Sequence, residues 1–138
     1  MRTLYIAIVA ALLAPASAVA QSADGFGSGD EWRAYVNELC RTGKAGPGVG
    51  NSMFGVAVRV GTEAARQYCD CYASEMAATA AERGANWGTR DNLPRGFPKW
   101  AKSANRTCFE PYDDGQRFSL RTLTHDQRQA ILDALAEP

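Results

Sequence analysis

Four cysteines, two of them one residue apart in Cys69-Asp70-Cys71, restrict the fold of this chain more than any other feature. They follow an export leader, so the domain matures where thiols are oxidised. Four cysteines in an exported chain of this size read as two disulfides, for which three pairings exist. A Cys69–Cys71 bond is disfavoured by helix geometry, because side chains two positions apart diverge by about 200° at 3.6 residues per turn. The same divergence lets one helix be tied on two flanks, one cysteine of the pair to Cys40 and the other to Cys108. The residues leave open which takes which. Each bridge closes a loop of about 30 to 40 residues, for which chain entropy sets a ceiling of about 3.5 to 4 kcal/mol. Set against a net stability of about 5 to 15 kcal/mol for such a domain, the cysteines read as architectural.

The leader occupies residues 1 to 20. Met1-Arg2 is a basic start, residues 4 to 14 (LYIAIVAALLA) are an apolar run, and Ala18-Val19-Ala20 before Gln21 fits a small-x-small cleavage site. A membrane span needs about 20 apolar residues, and Pro15 ends this run early. The expectation is a cleaved signal peptide and a periplasmic or secreted product, with no membrane insertion after cleavage. The Ala-, Gly- and Arg-rich composition agrees with a bacterial source. Cleavage of the 138-residue chain leaves 118 residues, enough for one domain. Those residues carry 14 Lys and Arg against 15 Asp and Glu. Such a balance gives no electrostatic reason to expect nucleic acid as a partner.

Residues 21 to 29 (QSADGFGSG) are small, polar and Gly-rich, and read as a disordered N-terminal tail ahead of a domain over 30 to 138. A first helix opens with Ser28 and Glu31 in capping-box spacing, Asp30 being a second N-cap candidate. Trp32, Tyr35, Val36, Leu39 and Cys40 then share one face, and Gly43 ends the helix. Residues 42 to 52, with four glycines and a proline, read as a loop. Met53 to Val60 fits both periodicities; as a strand it would pair with Phe118 to Thr122. Residues 63 to 83, with Ala at seven positions and no Pro or Gly, form the central helix, with Ala65, Cys69, Tyr72, Met76 and Ala80 on one face. After a loop over 84 to 97, Pro98 starts a helix in which Trp100, Ala104 and Cys108 align. Thr124 and Gln127 form a capping box for the last helix, whose apolar side is Ile131, Leu132 and Leu135. The predicted fold is all-α: a small irregular bundle of about four helices stapled by two disulfides, with room for a minor two-stranded ribbon.

Motifs for chemistry are scarce. The single histidine, His125, stands at the start of the last helix with no nucleophile or orienting group near it in sequence. Gly-x-Ser-x-Gly, His-Glu-x-x-His and phosphate-loop patterns are missing. No catalytic, cofactor or metal residue is assigned. Two sharper readings stand beside that one. Cys69 and Cys71, with Met76 five residues on, present soft sulfur ligands suited to a copper or zinc carrier. Carboxylates drawn from Glu75, Glu82, Asp91, Glu110, Asp113 and Asp114 would serve an envelope-polymer hydrolase.

Binding is the leading expectation, with a protein of the cell envelope as partner and the oligomeric state undetermined. Trp87 lies in a loop beside Arg90 and Asp91, where it could anchor an interface. The same Trp could instead fold over the end of the bundle as a lid, since large apolar side chains usually bury most of their area. Tyr112, beside Asp113-Asp114, is a second loop candidate.

Overall fold

A computed structural model describes residues 25 to 84 and 87 to 138. The expected signal peptide and the first four residues of the expected tail lie outside the described residues. Five α-helices follow one another: α1 (Gly29–Arg41), α2 (Pro47–Arg59), α3 (Thr62–Glu82), α4 (Phe97–Phe109) and α5 (His125–Ala136). Two 3-10 turns, Glu110–Tyr112 and Leu120–Thr122, lie between α4 and α5. The fold is all-α, and both disulfides are present, Cys40–Cys69 and Cys71–Cys108.

Local sequence accounts for most helix ends. Ser28 Oγ accepts from the Glu31 N–H, while the Glu31 carboxylate turns to the Gly27 N–H. At the other end of α1, Gly43 adopts φ +72°. There the Gly43 N–H reaches the Cys40 carbonyl and the Lys44 N–H reaches that of Leu39, a Schellman closure. Thr124 and Gln127 close the reciprocal capping box expected for α5. Pro98 takes the second position of α4 rather than the first, because Phe97 opens the helix and is buried, leaving Trp100 partly exposed.

α3 is the centre, touching α1, α2, α4 and α5. Its expected apolar face is buried, with Tyr68 and Ala73 added to it. The opposed directions of Cys69 and Cys71 send one bond to α1 and the other to α4, as the 200° divergence requires. The Cys40–Cys69 pair is fully buried, while Cys71 is partly exposed. Trp32, Val36, Met53, Val56 and Leu135 complete the core from the other helices.

Three expectations are corrected. The segment read as a loop over 42 to 52 contains the first half of α2: Pro47 sits in its first turn, where a missing N–H costs nothing. Met53 to Arg59 continues that helix, so the described residues form five α-helices where about four were expected, and no two-stranded ribbon lies among them. The expected partner segment is nonetheless adjacent. Asn51 Nδ2 donates to the Phe118 carbonyl (2.8 Å) and Asn51 Oδ1 accepts from the Leu120 N–H (3.2 Å), so one side-chain amide satisfies backbone that a strand would have paired. Phe118 lies on Gly55, where a Cβ would come within 3.1 Å of its ring. Finally, the tail reading extends too far. Gly25 bridges to Thr89, and the Phe26 ring lies 5.1 Å from that of Tyr35, so Gly25 and Phe26 are packed on the body.

Candidate functional site

α1 runs beside α3 in the opposite direction. Cys40 and Arg41 meet Cys69 and Asp70 at one end, and Gly29 and Asp30 face Ala77 and Ala81 across a hollow at the other. α5 crosses the first of these ends. The Arg66 guanidinium on α3 donates to the Ala134 carbonyl, which holds the end of α5 in place, and Leu135 is buried. Between α1, α3 and α5 a cleft of about 880 Å³ remains open to solvent. A second hollow of about 410 Å³ continues it toward Trp87, the two sharing Asp30, Arg33 and Ser74. Together they follow α1 for most of its 13 residues, about 20 Å at 1.5 Å per residue.

The floor is made of small or apolar side chains, among them Ala34, Ala73, Leu132 and Ala136. The walls are polar and of both signs. Asp70 Oδ1 accepts from Asn37 Nδ2 (2.5 Å) and from Arg41 Nη2 (2.9 Å), joining the α1 wall to α3. Arg33 stands 3.9 Å from Asp30. On α5, Gln129 Nε2 donates to Asp133 Oδ1 (2.8 Å). These pairs lie at the surface, where an ion pair is worth little to stability. An apolar floor with a few placed polar groups between helices has the make-up of a binding site.

No protein-family model, curated protein or solved structure matches this chain.

Of the residues singled out from the sequence, Trp87 borders the second hollow and the others lie elsewhere. Trp87 rests on Trp32 with ring centroids 5.3 Å apart, and its ring edge lies over Gly29. This is the lid arrangement, and Trp87 also borders the second hollow. The Arg90 guanidinium stacks over Phe26 (5.2 Å) and Tyr35 (4.9 Å), while the Tyr35 hydroxyl donates to the Arg90 carbonyl. Both residues thus hold the start of the described chain to α1. Asp91 is exposed beside them. Tyr112 is half-buried in the 3-10 turn beyond the far end of α4. The structure brings Trp87, Arg90 and Asp91 to one end of the bundle and leaves Tyr112 apart.

The other candidates are also dispersed. Asp113 and Asp114 accept from N–H groups of their own turn, and Asp114 also pairs with Arg59 at 2.8 Å. Glu75, Glu82 and Glu110 are exposed and do not line the cleft. Met76 is fully buried, and both cysteines of Cys69-Asp70-Cys71 are held in disulfides, Cys69 with Cys40 and Cys71 with Cys108. The cleft residues themselves escaped sequence reasoning. Asp70 carried one usable signal, because bonds on both sides of it fix which neighbours it meets.

Proposed function

We propose that this protein is an exported binding domain of the bacterial cell envelope, and that the cleft between α1, α3 and α5 docks a segment of a partner protein. The observation that carries this reading is the 880 Å³ opening itself, with its apolar floor and its walls of both charge signs. Two further facts support it. The bridges lock α1 and α4 to α3 on its two flanks, so two of the three helices around the opening are joined by a covalent bond. Disulfides of this kind persist in oxidising compartments, in keeping with a periplasmic or secreted location. Among the described residues no helix is long and apolar enough to cross a membrane.

Ser74 lies where the two hollows join, exposed on α3. Capture from envelope extract with the wild type, Ser74→Trp and Lys102→Trp tests the assignment. A specific partner should be retained by wild type and by Lys102→Trp, whose substitution lies on the exposed side of α4, and lost with Ser74→Trp at unchanged circular dichroism. Equal recovery by all three variants would place binding outside the cleft.

A further inference from the structure

The walls of the cleft do not balance in charge. Its cations are Arg33 and Arg41, and each is already opposite an acid, Arg33 with Asp30 and Arg41 with Asp70. Glu38 on the α1 wall and Asp133 on the α5 wall have no cationic partner among the described residues, and both are exposed. An occupant therefore meets one uncompensated carboxylate on each side. The floor between them restricts its shape. Ala34 on α1 and Ala73, Ala77 and Ala81 on α3, the last three spanning about 12 Å at 1.5 Å per residue, keep the α1–α3 seam free of bulky side chains, which lets a backbone approach closely. The walls are helices, whose backbone groups are bonded internally, so an extended peptide would find no strand edge to pair with. Recognition must then rest on side chains, and a helix laid in the seam presents them on both flanks.

From this we infer that the occupant is an amphipathic helix of a partner protein with Lys or Arg on both flanks of its apolar stripe. This rests on the docking reading above and adds the class of partner. A helix of about 14 residues spans the groove at 1.5 Å per residue. Its apolar stripe faces Ala34 and Leu132, and its basic flanks face Glu38 and Asp133.

Two synthetic peptides test it, each about 14 residues long, with one apolar stripe in common and flanks of Lys in one and Glu in the other. Each is titrated into the oxidised, isotope-labelled protein at physiological salt, and amide shifts are followed by NMR. The Lys peptide should shift the amides of Glu38, Ser74 and Asp133 and bind about tenfold tighter than the Glu peptide, the scale on which rim charges act. Replacement by Glu38→Gln with Asp133→Asn should bring the two affinities together. Equal or tighter binding of the Glu peptide at those same amides overturns the charge inference and leaves docking in place. No shift at the cleft amides with either peptide at millimolar concentration overturns both.

Discussion

Tyr68 and Tyr72 lie one turn apart on α3, both without exposed surface, and their hydroxyls fare differently. The Tyr68 hydroxyl donates to Asn105 Oδ1 at 2.6 Å, whereas that of Tyr72 is buried with no protein partner. A satisfied buried hydrogen bond contributes about 1 kcal/mol, and an unsatisfied group costs about 1 to 3 kcal/mol. The same deletion should therefore act in opposite directions. Tyr68→Phe is expected to lower stability by about 1 to 2 kcal/mol and Tyr72→Phe to raise it by about 1 kcal/mol, read from denaturant midpoints. Equal losses in both would show that Tyr72 has a partner. Burial also raises the pKa of both phenols above the ordinary tyrosine value. Because the folded value lies above the unfolded one, this contribution is intact below about pH 10. It is lost as pH climbs from there through the folded value. Stability measured from pH 9 to 11 should fall, with a shallower fall in Tyr72→Phe.

Helix ends set by a cap residue were legible one by one, since Ser28, Gly43 and Thr124 act through neighbours in sequence, while Pro98 marked the first turn of α4 one position late. α2 was not legible. Its first half, Pro47 to Ser52, holds Gly48 and Gly50, which favour a loop by propensity, and its second half has the β-branching of a strand. Tertiary packing decides otherwise. The bare position at Gly55 lets α2 come close to Phe118, a contact no local pattern encodes. Asn51 is the residue on which this packing turns, because it satisfies two backbone groups of the long connection before α5. Asn51→Ala strands both, and a loss of about 2 kcal/mol is expected. Loss below about 0.5 kcal/mol, the range of a plain surface change, would mean that water replaces it. The candidate site was illegible for a related reason. Periodicity reports which face of a helix is buried, not where three helices leave a gap.

The molecule as a whole is set by sulfur placement on its middle helix, and that much could be argued from the positions of four residues. Their pairing could not, since Cys69 and Cys71 differ only in which flank of α3 they face. The two bonds are unequal in access: Cys40 and Cys69 are fully buried, while Cys71 reaches the surface. Exchange needs a thiolate to reach a sulfur atom, so access controls its rate. Under limiting reductant, alkylation and mass analysis should find Cys71 and Cys108 modified before Cys40 and Cys69. The reverse order would mean that α1 opens from α3 more readily than α4 does. The bonds also divide the chain into consecutive rings, residues 40 to 69 and 71 to 108, which share no residue. A single backbone cut inside either ring adds one water to the protein across the cut and releases no fragment. Such a product keeps the parent's covalent integrity and separates into fragments only when thiols are added, so the domain clipped in the 87 to 97 stretch would still travel as one body.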